Sequence, residues 1–376
     1  MSATLIKAVA RLGVGDCAVR TAVKPIPLQR RASLEPRLWL FSRRGDFWFA
    51  GGGASLGLLA ALALIFLHGD REFDALDFVL SEFHLGATYA VIARRRLWRD
   101  RRTDVVMIPL VILALTYVLA FTGQTVWLTT ITLYAAVWHR GRQSFGVARF
   151  YQRQLGGPAS RAHDILFRGA IYLPMVAAML AYNHLAPEQY DGQPYLSLAF
   201  TGEASWFVGI AAVVWVLAYF AWVFATTRSE SLASALVVAQ NGIHPGEWWV
   251  VASHAVAFGS AYVLGASNAS FILVLAVHHE VQYLYFTYAM ARRGGPSDGP
   301  TGTLLDVSKA AHESGRGLRH ELKFVAVFLL WPIGGFLCAV MGASLDLKWL
   351  APLGVGGLFC HYWLDGRIWT RRSFPR

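Results

Sequence analysis

Apolar residues occur along the chain in runs of roughly twenty, separated by short polar segments. A run of this length forms a helix that crosses the hydrocarbon core of a bilayer. The pattern predicts an all-α, polytopic transmembrane helix bundle with about ten spans. The spans lie near 48–68, 76–93, 104–122, 125–148, 165–184, 205–225, 247–265, 270–291, 323–343 and 349–370.

Composition supports this prediction. Hydrophobic residues make up 55% of the 376 positions and charged residues 15%, which excludes an ordinary soluble domain. The net charge of +11 would also suit a nucleic-acid-binding protein, but the basic residues lie beside the predicted spans. We therefore expect membrane lipids, and no nucleic acid, as partners.

The basic residues define an orientation. Arg94 to Arg102, Arg140 to Arg153 and Arg371 to Arg376 end predicted spans, whereas the opposite loops are poor in Lys and Arg. Under the positive-inside rule both termini are cytoplasmic. The predicted location is the cell inner membrane, as a multi-pass protein.

We expect residues 1–46 to form a basic cytoplasmic N-terminal tail, since they lack the apolar core of a signal peptide. Residues 47–376 are predicted to form a single transmembrane helical domain, in which 292–323 is a cytoplasmic loop with a short surface helix. Only Cys17, Cys338 and Cys360 occur. They indicate neither a disulfide framework nor a thiolate metal site.

Five predicted spans carry histidine in their interior. An ionisable side chain in hydrocarbon is costly and usually faces a bundle interior or a water-filled cavity. Counting about 1.5 Å per residue from the basic span ends places these histidines between the midplane and the cytoplasmic third. Imidazole is the commonest metal ligand, so this layer predicts a buried metal site whose ligands are His84, His139, His254, His278, His279 and His361.

Polar residues accompany these histidines at helical spacing. Metal-bound histidine usually donates its second ring N–H to a carboxylate or carbonyl. The predicted partners or accessory ligands are Gln143, Glu280, Gln282 and Asp365. Because His278 and His279 diverge by about 100° on a helix, they bracket two metals or only one of them is a ligand. A structural role for His254 is equally open, since Phe258 and small residues surround it.

The remaining histidines are not expected to take part in the metal site. His68, His163, His184 and His244 lie near span ends, where an interfacial role is typical. His312 and His320 lie in the polar loop and are assigned no site.

Histidines with carboxylates and no cysteine suit iron, copper or zinc. Six histidines exceed the ligand number of a mononuclear zinc site, so a dinuclear iron centre is the first hypothesis. Inside an apolar enclosure such a centre would activate oxygen toward a lipid or isoprenoid-like substrate. No nicotinamide or flavin fingerprint occurs, so electrons would come from a separate donor protein.

The histidine layer resembles the membrane histidine-cluster di-iron oxidoreductases, which include fatty-acid desaturases and hydroxylases. The ligand type, depth and sidedness carry this resemblance. The H-x3-H and H-x2-H-H boxes of that class are absent, and His278 with His279 forms the only H-H pair. The resemblance implies a hydroxylase, desaturase or oxygenase, but neither its fold nor its substrate.

Three other functions use the same residues. Histidines on facing helices can be the axial ligands of a b-type haem. The polar layer could instead be the binding site of a membrane transporter, or a proton or ion pathway. In an assembly factor, the same side chains would serve only for helix association.

Overall fold

The computed structural model describes residues 39–40, 42–67, 70–95, 97–190, 193–197, 202–227, 243–266, 268–293, 325–326, 328–330, 333–335 and 350–368. Contacts divide the chain into two units, 1–35 and 36–376. Unit 1–35 lies outside the described residues, as does nearly all of the predicted loop 292–323.

The described part is almost entirely helical, so the all-α prediction is confirmed. The longer helices are α1 (Gly53–Leu67), α2 (Asp70–Arg95), α3 (Ile108–Phe121), α4 (Thr125–Gln154), α5 (Arg161–Leu185), α6 (Gly202–Thr227), α7 (Pro245–Gly259), α8 (Ile272–Arg293) and α9 (Ala351–Ile368).

Shorter elements join these helices. Helical turns occur at Arg43–Gly45 and Leu97–Asp100, a 3-10 turn at Ala269–Phe271, and π-type segments at Asp46–Gly51, Thr103–Met107 and Ser260–Leu264. Strands β1 (Gln189–Tyr190) and β2 (Gln193–Pro194) form an antiparallel hairpin.

Glycine and serine set the sharp connections on both sides of α4. Gly123 (φ 73°) precedes the helix, and Gly156 (φ 93°) and Gly157 (φ 128°) follow it. These left-handed conformations favour glycine because it lacks Cβ. Helix α5 then begins at Ser160, whose side chain accepts the backbone N–H of His163, as an N-cap residue does.

Among the described residues, three helical segments are long and apolar enough to cross a membrane: Thr103–Phe121, Arg161–Leu185 and Gly202–Thr226. A fourth is possible if the bent pair Arg43–Gly51 and Ser55–Ala63 forms one span. Helices also lie at most of the other predicted spans, but polar residues lower the hydropathy of several of them. The predicted span 323–343 lies largely outside the described residues.

Two of these apolar helices expose their side chains. Met107, Leu110, Val111 and Leu115 are exposed on or beside α3. Exposed residues on α6 include Trp206, Phe207, Ile210, Val213, Val214 and Leu217. Apolar surfaces this extensive mark contact with a membrane or another protein, in agreement with a membrane protein.

Helix α8 packs against α1 and α2 and also contacts α4. Helix α9 packs against α3 and contacts α2 and α4. Glycines bring α1 close to α8: a Cβ at Gly57 would lie 2.7 Å from Cα of Val274, and one at Gly53 would lie 3.0 Å from Cα of His278. This packing places the histidine-bearing faces of α2, α4, α8 and α9 around one interior point.

Candidate metal centre

Four of the six predicted ligands meet in the bundle interior. His84 on α2, His139 on α4, His279 on α8 and His361 on α9 are all buried. The ring centroid of His84 lies 4.4 Å from that of His361 and 4.5 Å from that of His279. The four rings come from distant stretches of the chain, which supports the predicted convergence.

A first group of candidate ligands comprises His84, His139, His361 and Asp365. The Nε2 atoms of His84 and His361 are 2.6 Å apart, and those of His361 and His139 are 3.2 Å apart. Oδ2 of Asp365 lies 3.6 Å from Nε2 of His361 and 3.7 Å from Nε2 of His139. Three ring nitrogens and one carboxylate oxygen therefore surround a common point, as a small cation requires.

Hydrogen bonds orient two members of this group. Nδ1 of His361 lies 2.8 Å from the Thr88 hydroxyl, which donates to Oδ1 of Asp365 at 3.0 Å. The Tyr283 hydroxyl donates to the same carboxylate oxygen at 2.5 Å. The Thr88 hydroxyl also lies 2.6 Å from the Tyr283 hydroxyl. With Thr88 beside its Nδ1, His361 presents Nε2 to the common point, and Asp365 presents Oδ2.

A second group comprises His84, His279 and Glu280. Nδ1 of His84 lies 2.8 Å from Oε2 of Glu280, but the two atoms are not aligned as a hydrogen bond. Within the described part of the chain, these two atoms and Nδ1 of His279 are buried without a hydrogen-bond partner. Unsatisfied buried polar atoms are costly, so the adjacent Nδ1 of His84 and Oε2 of Glu280 need a physical explanation.

The structure leaves two of the predicted ligands, His254 and His278, out of both groups. Nδ1 of His278 lies 3.0 Å from the Ser253 hydroxyl and its Nε2 lies 3.4 Å from that of Ser144. Nε2 of His254 donates to the carbonyl of Ile171 at 2.9 Å. Both rings are bonded to neighbouring helices, and the 100° step between His278 and His279 turns only His279 toward the cluster.

The four predicted partner residues also differ in position. Asp365 and Glu280 lie beside ring nitrogens and belong to the candidate ligand groups. Gln143 donates to the carbonyl of His279 at 2.8 Å and to Gln282 at 3.3 Å, and Gln282 donates to the carbonyl of Ala50 at 2.7 Å. These hydrogen bonds of the two glutamines join helices and do not orient an imidazole ring.

His163 lies in a second buried polar cluster, whereas an interfacial role was expected for it. Nε2 of His163 lies 2.6 Å from Oε1 of Glu247, which also accepts the Tyr219 hydroxyl at 2.8 Å. Nδ1 of His163 accepts the N–H of Ala159, so Nε2 carries the proton. His163, Tyr219 and Glu247 are each fully buried. The signal available in the sequence was Glu247, a carboxylate that opens an apolar run.

His244 is another buried histidine outside the metal groups, and its Nδ1 caps α7 by accepting the N–H of Gly246. His184 is exposed, whereas His68, His312 and His320 lie outside the described residues.

Comparisons of the chain with family models, with curated proteins and with solved structures gave no match. The function is therefore inferred from the geometry of the site alone.

Proposed function

We propose that this chain is an integral-membrane, metal-dependent oxidoreductase that acts on a lipid or isoprenoid-like substrate. The observation that carries the proposal is the first group, in which His84, His139, His361 and Asp365 face one buried point. In this proposal the chain has about ten spans with cytoplasmic termini in a cell inner membrane, and the site lies in the cytoplasmic half of the bilayer.

The spacing of the first group favours a bound ion over simple packing. Ligand atoms about 2.0 to 2.2 Å from a metal lie about 3 to 3.5 Å from one another. Of the four distances given above, 3.2 Å lies within this range, 3.6 Å and 3.7 Å lie just above it, and 2.6 Å lies below it. A bound metal would also accept the Nε2 lone pairs of all three histidines at once. A proton shared between two ring nitrogens leaves the third nitrogen without a partner.

The types of ligand atom limit which metal ions suit the site. Three imidazoles and one carboxylate without a thiolate suit iron, zinc or copper better than calcium or magnesium. Histidine and carboxylate ligands with open positions are typical of non-haem iron that activates oxygen. We therefore place iron first, with zinc and copper as the other candidates. When bound, the iron would supply oxygen activation.

The haem alternative fits this geometry less well. Axial ligands of one haem lie on opposite faces of the ring, with nitrogens about 4 Å apart if each bond to iron is about 2 Å. Nε2 of His84 and Nε2 of His361 are 2.6 Å apart, with Nε2 of His139 beside them. No porphyrin plane fits between nitrogens at this spacing, whereas a bare ion does.

An apolar substrate suits the surroundings of the site. The cluster lies inside a helical bundle, and the exposed apolar faces of α3 and α6 suit a lipid environment. In a hydroxylation, one O2, one substrate C–H bond, two electrons and two protons would give one alcohol and one water. The electrons would come from a separate donor protein, because the sequence has no nicotinamide or flavin fingerprint.

The test combines metal content with product analysis. The full chain is purified in detergent and its metals are measured by elemental analysis, while lipid extracts of the expressing membranes are compared by mass spectrometry. We expect near-stoichiometric iron and new hydroxylated or desaturated lipids, both lost in His139→Ala. His184→Ala, which changes an exposed histidine, is the control and should retain both.

Two results would overturn the proposal. A well-folded protein that binds no metal would favour a transporter, or a proton or ion pathway. Metal binding without any oxidised product, even with an added electron-donor system and oxygen, would contradict the assignment as an oxidoreductase.

A further inference from the structure

We propose that the centre holds two transition-metal ions bridged by the imidazole of His84. The second ion would be bound by Nδ1 of His84, by His279 and by Glu280, and the first by Nε2 of His84 with His139, His361 and Asp365. This inference rests on the proposed function, because it assumes that the first group binds a metal.

The position of His84 carries the inference. It is the one residue that belongs to both candidate ligand groups. Its two ring nitrogens face different partners: Nε2 lies 2.6 Å from Nε2 of His361, and Nδ1 lies 2.8 Å from Oε2 of Glu280. These nitrogens point away from each other across the ring, so one ion cannot use both. Two ions, one on each side, can.

The simpler alternative is a hydrogen bond in which Nδ1–H of His84 donates to Glu280. A carboxylate that orients a metal-bound histidine in this way is common. The distance would allow it, but Oε2 of Glu280 lies off the N–H direction and the pair fails as a hydrogen bond. An oxygen beside the axis of the ring nitrogen is where a co-ligand of the same ion would lie.

Unsatisfied atoms mark the second site independently. Nδ1 of His84 and Nδ1 of His279 are buried and have no hydrogen-bond partner among the described residues. The Glu280 carboxylate is hydrogen-bonded to Ser81, but its Oε2 atom is likewise left without a partner. Their side chains are at least nine-tenths buried. One cation would satisfy the His84 and Glu280 atoms together. Three protein ligands would leave a position open, as catalytic metal sites do.

The net charge of the two ions and their surrounding side chains determines which kind of ligand would bind at the open position of the second ion. Two divalent ions bring four positive charges. Asp365 and Glu280 supply two negative charges, and loss of the second ring proton from His84 supplies a third. Arg140, which acts electrostatically on Glu280, adds a further positive charge. The site would therefore stay positive and retain a hydroxide or another small anion.

Cobalt binding to the full-length detergent-purified protein tests this inference. Metal-free protein is dialysed against Co2+, and bound cobalt is measured together with its electron paramagnetic resonance spectrum. We expect two cobalt ions in the wild type and one in both His279→Ala and Glu280→Gln. His278→Ala, which changes the neighbouring histidine outside both groups, should keep two. Thermal unfolding and size-exclusion chromatography check that each variant is folded.

Each other result has a distinct meaning. One cobalt in the wild type that persists in Glu280→Gln would overturn the second site and leave the first intact. Two cobalt ions in Glu280→Gln and His279→Ala would overturn the assigned ligands. Two ions with an uncoupled spectrum of full intensity would overturn the His84 bridge, since ions about 6 Å apart across one imidazole interact magnetically. No cobalt in the folded wild type would overturn the proposed function as well.

Discussion

Nε2 of His84 and Nε2 of His361 lie 2.6 Å apart in the bundle interior, although 277 positions separate them in the sequence. Two ring nitrogens this close share either one proton or one cation. Thr88 lies 2.8 Å from Nδ1 of His361, the other nitrogen of the same ring, and so helps to fix the ring that would bind the cation. Thr88 is therefore the residue through which the metal hypothesis can be tested without removing a ligand.

We expect Thr88→Val to weaken cobalt binding by about 10- to 100-fold, the usual effect of losing a hydrogen bond that orients a metal ligand. The substitution removes the contacts to Nδ1 of His361 and Oδ1 of Asp365 and keeps the side-chain shape. A competition titration with a chelator measures the change. Thr116→Val is the matched control, since Thr116 is also buried and its hydroxyl, among the described residues, donates within α3 to the carbonyl of Ile112.

Both substitutions are expected to lower stability by about 1 kcal/mol through a lost hydrogen bond. Under the metal hypothesis, only Thr88→Val should also lower the affinity for cobalt. Equal cobalt affinities in the two variants would show that Thr88 does not act on a metal ligand.

The buried Glu247 cluster predicts a loss of stability without a loss of metal. In Glu247→Ala the donors of His163 and Tyr219 lose their acceptor, and each orphaned buried group costs about 1 to 3 kcal/mol. Glu247→Gln keeps one acceptor oxygen and should cost less. Thermal unfolding in detergent measures the order, with alanine below glutamine and glutamine below the wild type.

Cobalt stoichiometry is the second measurement on the same proteins. Because Glu247 belongs to neither candidate ligand group, both variants should bind as many ions as the wild type. A folded Glu247→Ala protein that has lost cobalt would contradict the separation of the two clusters.

Helical spacing explains which parts of the site could be predicted. Counting residues along each span put all six histidines in one layer, and the structure brings four of them together, His84, His139, His279 and His361. Depth does not determine rotation about the helix axis, so the choice between His278 and His279 stayed open. In the structure the backbone of His278 lies against Gly53 of α1, and His279 is the one of the two that belongs to a candidate ligand group.

The buried cluster of His163, Tyr219 and Glu247 could not be predicted for a similar reason: local sequence does not specify which helices pack together. His163 and Glu247 are 84 positions apart, and nothing in either local pattern indicates that they meet. A position near a span end suggested exposure at the interface, but Trp222 stacks on the His163 ring at 4.8 Å and Tyr219 adds its hydroxyl from the same helix. Burial of span ends depends on neighbouring helices, which composition does not specify.

The contact between α1 and α8 predicts a steric effect. We expect Gly57→Ala to lower stability by about 1 to 3 kcal/mol through overpacking, because the new Cβ would lie 2.7 Å from Cα of Val274. Gly209→Ala in α6 is the matched control, since nothing lies within 4 Å of its added Cβ. The control should be neutral or slightly stabilising, because alanine favours helix. Equal unfolding midpoints for the two variants would contradict the close packing.

The predicted orientation can be tested by labelling single cysteines with a membrane-impermeant maleimide. The three native cysteines are first replaced, and one cysteine is then introduced at Ala159 or at Gln193, which are both exposed. Ala159 follows α4 on the predicted cytoplasmic side, and Gln193 lies in the hairpin on the opposite side. In intact inner-membrane preparations with a known outer face, we expect Gln193→Cys to react from outside and Ala159→Cys to react only after the membrane is opened. The reverse pattern would invert the topology, and it would move the histidine layer to the outer half of the bilayer.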